Sequence, residues 1–305
     1  WGQACAEPLG LVEALVAQRA ALWPLEVFMG VNWSGTVKAE HADHLRLTAY
    51  CGAGYNRKLA DAGVLDICPY PYSQIGPLIR AGKIKCDVVL LQVSPPNARG
   101  EYSLGLDVEY LAPAIECARS VIAEVNRHVP WTSTERVMHA EDFALITESS
   151  RAPVPPPYGA PGEAERRIAR HAAQFVPDGA TLEFGLGSLP DAILAALADR
   201  RDLGVHSGLL CDGIARLSGL GVITNARKSI DRGVAVGGVL MGTQTLFDFA
   251  HGVSVKHAKN FSGLIVKEKK GRHTLFDAVK QFSLNRWGCG RQPRIMGMQP
   301  VFFFF

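Results

Sequence analysis

The stretch ATLEFGLGSLPDAILAAL, residues 180–197, sets the fold class of this chain. It predicts a strand, a glycine turn and then a helix from Pro190 to Ala198. Pro190 suits the first turn of that helix, because a proline there removes no intrahelical hydrogen bond. Gly185 and Gly187 let the backbone approach a ligand closely, and the helix N-terminus presents unpaired N–H groups. The stretch therefore predicts a strand-turn-helix unit that binds an anionic group.

Two other interpretations of this glycine turn need to be weighed. A nicotinamide dinucleotide site requires a third glycine at position 190, which is proline. It also requires an acidic residue at the end of the next strand, where Ser207 and Gly208 stand. The pattern therefore disfavours a dinucleotide site. A tight structural turn without a ligand stays open as an alternative.

Apolar strands and amphipathic helices alternate along most of the chain. Strands are predicted over residues 25–31, 45–50, 87–93, 120–125, 180–184, 203–206 and 221–224, and helices over residues 9–22, 108–118, 163–175, 190–198 and 209–219. Continuous apolar strands separated by helices are typical of parallel sheets covered on both faces. The fold class is therefore predicted to be α/β, in two lobes with largely parallel sheets.

A proline-rich segment, SSRAPVPPPYGAPG, divides the chain at residues 149–162. Its five prolines cannot continue a helix or a strand ladder, so we interpret it as a linker. The predicted domains are residues 1–148, an N-terminal α/β domain, and residues 163–252, the start of a second one. Residues 253–305 are expected to be an unassigned basic tail, with the second lobe incomplete.

Composition excludes several protein classes. The 305 residues are 48% hydrophobic and 20% charged, which is typical of a globular protein rather than a disordered or membrane-spanning one. The seven cysteines are scattered without a C-x-x-C pair, so we expect no metal cluster and a cytoplasmic location. Residues 251–305 carry a net charge of +8, but without a basic helix face. We therefore expect neither nucleic-acid nor membrane partners.

A second loop, SPPNARGEYSLG, leaves the apolar strand predicted at residues 87–93. Ligands bind at the carboxyl ends of strands in open parallel sheets. The candidate ligand contacts in this loop, with those of the glycine turn, are Ser94, Pro95, Pro96, Gly100, Gly105, Gly185, Gly187 and Pro190. A purely structural turn is the alternative for this loop as well.

Six strings together resemble the acetyl-CoA hydrolase/transferase family, which includes 4-hydroxybutyrate and succinyl-CoA:acetate CoA-transferases. They are VVLLQVSPPNARGEYSLG (88–105), ATLEFGLGSLPDAILAAL (180–197), DLGVHS (202–207), DG (212–213), VITNARKSIDRG (222–233) and LMGTQTLFDF (240–249). The resemblance implies two CoA-transferase-type lobes and an acyl-CoA thioester substrate. It also implies a small carboxylate or water as acceptor, and no permanently bound cofactor.

The resemblance also exposes a departure at the catalytic position. Family members carry a nucleophilic glutamate in a segment similar to GIHSEM, and here the matching segment places Gly208 at that position. A glycine cannot attack a thioester and form the glutamyl-CoA intermediate that the family mechanism implies. Glu183 and Asp212 are the nearby carboxylates considered as replacements, and Glu183 is expected to be a solvated or salt-bridged strand residue.

Two hypotheses follow from these observations. In the first, the chain is an acyl-CoA:carboxylate CoA-transferase or acetyl-CoA hydrolase by descent, with acyl-CoA and a small carboxylate as its partners. In the second, it is a non-catalytic CoA-binding relic, because it lacks the nucleophile and has an incomplete second lobe. Apolar surface left by an incomplete lobe favours a homo-oligomer.

Overall fold

The computed structural model describes residues 1–134, 136–252, 255–257 and 301–304 of the chain. Helices alternate with short strands, and every strand pair formed within its sheets is parallel. The predicted α/β class with parallel sheets is therefore confirmed. Across the described residues, no helix combines the length and the apolar character needed to cross a bilayer.

The helices and strands are short and follow one another closely. The α-helices are α1 (Leu9–Ala17), α2 (Asn56–Asp61), α3 (Tyr72–Arg80), α4 (Leu111–Cys117), α5 (Glu163–Ala173), α6 (Ser188–Ala196), α7 (Asp212–Gly219) and α8 (Gln244–Ala250). The strands of the first half are β1 (Leu25–Met29), β2 (Leu45–Ala49), β3 (Leu65–Ile67), β4 (Val88–Val93), β5 (Ser120–Asn126), β6 (Ser133–Thr134) and β7 (Leu145–Ser149). Those that follow are β8 (Thr181–Phe184), β9 (Gly204–Val205), β10 (Leu209–Leu210), β11 (Ala235–Gly237), β12 (Val239–Leu240), β13 (Val255–His257) and β14 (Val301–Phe304).

Two three-stranded sheets form the first half of the molecule. One has the order β1-β2-β3 and the other the order β4-β5-β7. Strand β4 is buried at five of its six positions, as its largely apolar sequence predicts. Strand β7 lies at a sheet edge and is largely exposed, with Leu145 at 57%.

The second half contains the sheet that organises the candidate site. Strands β14, β8 and β9 are neighbours in one parallel ladder, and β11, β13 and β6 in another. A parallel bridge between His206 and Val236 joins the two ladders, so β9 and β11 lie side by side. Strand β6 precedes the proline-rich segment in sequence yet pairs with β13 beyond it. The sheet therefore combines residues from both halves.

Residues 150–162 of the proline-rich segment lie between β7 and α5 and form neither a helix nor a strand. The division into domains at residues 149–162 stays a proposal, because two observations tie the halves together. Strand β6 belongs to the second sheet, and the largest hydrophobic core includes Leu106 and Val129 from the first half.

The structure corrects several predicted elements. The helix expected at residues 209–219 begins at Asp212, because Leu209 and Leu210 are extended and pair with β12. No strand lies at residues 221–224, where Ile223 makes a single bridge to Leu203. Helix α1 ends at Ala17, since the residues after it form turns. Most of the expected basic tail lies outside the described residues.

Candidate functional site

The candidate site is the edge at which β8, β9 and β11 end. These three strands are parallel neighbours, so their carboxyl ends meet on the same side of the sheet. The chain carries glycine just beyond all three ends, and we call this set of residues the glycine edge: Gly185, Gly187, Gly208 and Gly238. Backbone groups are accessible where no side chain covers them. The glycine edge therefore has the position and the composition of a ligand site in a parallel α/β fold.

The first part of the glycine edge is the turn between β8 and α6. Gly187 has φ 133° and ψ 177°, a conformation that only glycine adopts without strain. Its carbonyl accepts a hydrogen bond from the Asp191 N–H (3.2 Å), which starts the helix at Ser188 rather than at Pro190. Pro190 is buried in the first turn. The predicted strand-turn-helix unit is therefore present, with the helix two residues longer at its start.

The second part is Gly208, where the family resemblance places a glutamate. Its carbonyl accepts hydrogen bonds from the N–H groups of Gly238 (2.9 Å) and Val239 (3.2 Å). Gly208 is not among the described glycines with positive φ, so its backbone does not require glycine. The neighbouring Ser207 hydroxyl donates to the Phe184 carbonyl (3.1 Å) and accepts from the Phe184 N–H (3.3 Å). Position 208 is thus rigidly held against both neighbouring strands.

A buried lysine, Lys228, holds the strands of the glycine edge together, and the sequence analysis did not predict it. Lys228 is 2% exposed, and its Nζ donates to the carbonyls of Val205 (2.8 Å) and Val234 (2.7 Å). Its aliphatic stem crosses Gly204, where an added Cβ would lie 2.5 Å from Cγ. Lys228 therefore ties the end of β9 to the residue before β11. Its only signal in the sequence is its place within VITNARKSIDRG.

Glu183 and Asp212, the two carboxylates considered as replacements for the absent glutamate, have different surroundings. Asp212 caps helix α8, because it accepts hydrogen bonds from the Thr243 N–H (2.9 Å), the Thr243 hydroxyl (3.1 Å) and the Leu246 N–H (3.2 Å). Glu183 lies on β8, two residues before the turn, and burial raises its pKa to about 7. Glu183 is half-buried and forms no ion pair with a described basic side chain, so the expectation that it is solvated or salt-bridged stays a prediction.

The loop at residues 94–105 has a different construction. Ser94 is fully buried, and its hydroxyl donates to the Pro95 carbonyl (2.9 Å) and accepts from the Ser103 N–H (3.0 Å). Gly105 has φ 60° and packs against Val129, so it serves the turn itself. Pro95, Pro96 and Gly100 form the exposed part. Ligand contact by this loop stays a prediction, and it falls on the exposed part.

The structure connects the two loops through the segment that follows Gly105. The Leu240 N–H donates to the Leu106 carbonyl (2.7 Å), and the Val108 N–H donates to the Gly238 carbonyl (3.2 Å). Because Gly238 in turn donates to Gly208, residues 106–108 lie one strand away from position 208. This segment brings Glu109 to the glycine edge, which the sequence pattern did not predict.

Comparison with known proteins gives a consistent family. A model of the acetyl-CoA hydrolase/transferase N-terminal domain matches residues 1–156. The chain is 34% identical over 259 residues to the 4-hydroxybutyrate coenzyme A transferase of Clostridium kluyveri, covering 82% of this chain and 59% of that protein. It is 34% identical over 212 residues to a succinyl-CoA:acetate/propanoyl-CoA:succinate CoA transferase of Fasciola hepatica, covering 68% and 43% respectively. The chain thus spans about half the length of these relatives.

Solved structures resemble the chain to a similar extent. RipA from Yersinia pestis has a TM-score of 0.79 at 28% identity, over 84% of this chain and 63% of that one. A 4-hydroxybutyrate CoA-transferase from Porphyromonas gingivalis has a TM-score of 0.72 at 28% identity, over 85% of this chain and 62% of that one.

Proposed function

The chain belongs to the acetyl-CoA hydrolase/transferase family, and from this premise we propose that it binds an acyl-CoA thioester and a small carboxylic acid at the glycine edge. The observation that carries the proposal is the convergence of three glycine-bearing strand ends at one edge of a parallel sheet. A thioester carbonyl and a carboxylate both need backbone donors and close approach, which glycine and a helix N-terminus supply.

We further propose that the chain as written does not carry out ping-pong CoA transfer. In that reaction a carboxylate attacks the thioester carbonyl and expels the CoA thiolate, giving a mixed anhydride. The thiolate then attacks the anhydride at the enzyme's carbonyl, which releases the acid and leaves a glutamyl thioester. Gly208 supplies no carboxylate for either step. The proposed role is therefore binding of the substrates without the covalent exchange.

A second candidate function is CoA transfer or hydrolysis through a displaced carboxylate. Glu183 favours it, because it lies on the strand that leads into the glycine turn and carries a raised pKa. Shifted pKa values are common among catalytic groups. Against it, productive attack requires placement within about 0.5 Å of the correct geometry, which a residue on a different strand does not inherit.

Binding of CoA tests the proposed function directly. Titration of the folded chain with CoA and with acetyl-CoA by calorimetry is expected to give saturable binding to one site. Gly187→Ala is expected to weaken that binding, because it strains the turn that presents the helix N-terminus. The matched control is Gly219→Ala, where an added Cβ meets no atom within 4 Å. Absence of saturable binding to a folded sample would contradict the proposal.

Other properties of the protein also stay predictions. A cytoplasmic location, the lack of a permanent cofactor or metal, the lack of nucleic-acid and membrane partners, and homo-oligomer formation are all proposed from the sequence. Size-exclusion chromatography with light scattering measures the last of these.

A further inference from the structure

The Glu109 side chain packs into the space that a side chain on Gly238 would fill. An ideal Cβ on Gly238 would lie 2.7 Å from Cγ and 2.8 Å from Cδ of Glu109, and nearest of all to its Oε1, so any other residue at position 238 requires Glu109 to shift. Gly238 is also the residue whose N–H binds the Gly208 carbonyl. The carboxyl group of Glu109 therefore lies directly beside the glycine edge, one residue away from position 208.

The hydrogen bonds of Glu109 all converge on one of its two oxygens. Oε2 accepts from the Gln3 side-chain amide (3.0 Å) and from the Tyr72 hydroxyl. The same Gln3 amide donates to Tyr72 Oη (3.0 Å), which directs the Tyr72 proton toward Glu109. Gln3 is itself oriented by the Tyr50 hydroxyl, which donates to its carbonyl oxygen (2.6 Å). No described residue donates to Oε1, so a proton on a neutral Glu109 belongs on Oε1.

The surroundings of Glu109 favour the neutral form. Asp107 lies two residues earlier, is fully buried, and has one oxygen without a partner among the described residues. Burial raises the pKa of both carboxyl groups, and the charge of Asp107 raises that of Glu109 further. Among the described residues, the titratable or charged groups that interact with the pair are Tyr50, Tyr72, Tyr110 and the amino group of Trp1. Within the described residues, no lysine, arginine or histidine side chain forms an ion pair with either carboxylate.

We infer that Glu109 contacts the acid substrate, donating a hydrogen bond from Oε1 to a carboxylate oxygen bound at the glycine edge. A neutral carboxyl group can donate to an anion, whereas an ionised one repels it. This inference rests on the proposed function and adds the residue that recognises the acid. In this role, the buried hydrogen-bond network of Gln3, Tyr50 and Tyr72 orients the Glu109 carboxyl group.

Acetate titration of the CoA-saturated full chain tests this inference. Native protein is expected to bind acetate at pH 6.5 and to lose about tenfold or more in affinity at pH 9.5, the effect of one charge-assisted hydrogen bond. The Glu109→Ala variant is expected to bind acetate about tenfold or more weakly than native protein already at pH 6.5. Glu109→Gln keeps an N–H donor at the Oε1 position, so its acetate affinity should vary little with pH. Glu148→Gln, on the exposed face of β7, is the control and should match native protein.

The outcomes separate this inference from the proposed function. Unchanged acetate binding by a folded Glu109→Ala protein, or a native-like pH dependence in Glu109→Gln, would overturn the role of Glu109 while CoA binding still supports the site. Failure of folded native protein to bind CoA would overturn both. Far-UV circular dichroism and thermal unfolding establish folding, and the isosteric Glu109→Gln variant provides the test if Glu109→Ala does not fold.

Discussion

The two strand-end regions of this molecule, the loop at residues 94–105 and the glycine edge, use their polar groups in opposite ways. In the loop, Asn97 binds the Arg99 and Glu101 N–H groups and the Glu101 carboxylate, so the loop satisfies itself. At the glycine edge, Glu183 is half-buried without an ion pair among described residues, and no described residue donates a hydrogen bond to Oε1 of Glu109. The polar groups of the loop stabilise the loop itself, whereas acidic side chains at the glycine edge keep oxygens that no described residue binds.

The loop at residues 94–105 and the glycine turn at residues 185–190 look alike in sequence but differ in their position in the sheet. Both combine proline with glycine at a strand end, and both match the family. Only at the glycine edge do three neighbouring strands end together, which brings backbone groups and acidic side chains into one place. Substitutions in the edge are therefore expected to alter ligand chemistry, whereas substitutions in the buried part of the loop alter stability.

The largest expected effect comes from position 208. Gly208→Glu restores a carboxylate at a position whose backbone φ is not positive, and transfer of CoA from acetyl-CoA to succinate should rise by several orders of magnitude above native protein. Gly208→Gln has nearly the same size without a nucleophile and is the control. Native protein that already transfers CoA, at a rate abolished by Glu183→Gln, would show that the nucleophile has moved.

Gly238→Ala tests the contact on which the edge depends. The added Cβ collides with the Glu109 carboxyl group, and we expect a loss of about 3 kcal/mol in the free energy of unfolding. Gly219→Ala lies at the end of α7 in open space and should stabilise by about 0.5 kcal/mol. Urea unfolding of the two variants measures both. Equal stability of the two variants would mean that Glu109 moves aside without cost.

Gly187→Ala and Gly100→Ala compare the two regions at positions that are both sterically open. The φ of 133° at Gly187 is accessible essentially to glycine alone, so alanine should cost about 2 kcal/mol. Gly100 has φ 76°, a left-handed conformation in which alanine costs about 1 kcal/mol. Chemical denaturation gives the difference, and a larger loss for Gly100→Ala would reverse the assignment of backbone strain to the edge.

The smallest expected effect is a change in the pH dependence of folding stability on substitution of Glu183. Burial raises the pKa of Glu183, so the folded state holds this proton more tightly and stability falls as pH rises from about 4.5 to about 7. Glu183→Gln should therefore stabilise by about 1 kcal/mol at pH 8, allowing for partial solvent contact, and have little effect at pH 4.

Substitution of Glu101 in the loop is expected to change the pH dependence of stability in the opposite direction. The Asn97 amide and then Arg99 hold its pKa below the usual value, so its contribution is present above the unfolded pKa and is lost as pH falls. Glu101→Gln should destabilise at pH 8 and have no effect at low pH. Guanidine unfolding across this range compares the slopes, and the same sign in both variants would contradict the contrast between the regions.

Sequence patterns predicted the longer apolar strands well and the short or polar ones poorly. Strands β4 and β8 agree with prediction to within one residue, because apolar residues predominate in the predicted segments and proline or glycine follows closely. Strand β7 was not predicted, since it lies at an exposed edge where burial imposes no pattern. Strand β6 consists of Ser133 and Thr134, which carry no apolar signal.

The site was predictable only as far as its local turns. Gly185 and Gly187 lie in a string that the family resemblance marks, Gly208 directly follows another, and the three meet at one edge. The network around Glu109 was not predictable, because Gln3 meets residues 69 and 106 positions away in sequence. Contacts over such separations follow from tertiary packing, which no local pattern records.

During synthesis of the chain, strand β6 emerges from the ribosome long before β13, the strand with which it pairs. Ser133 and Thr134 are synthesised about 120 residues before Val255–His257, which at typical translation rates is a delay of roughly 10 s. During that interval the β6 segment has no strand to pair with, and an unpaired strand edge invites association with other chains. Residues 1–148 expressed alone lack β13, and we expect that fragment to aggregate more readily than the full chain.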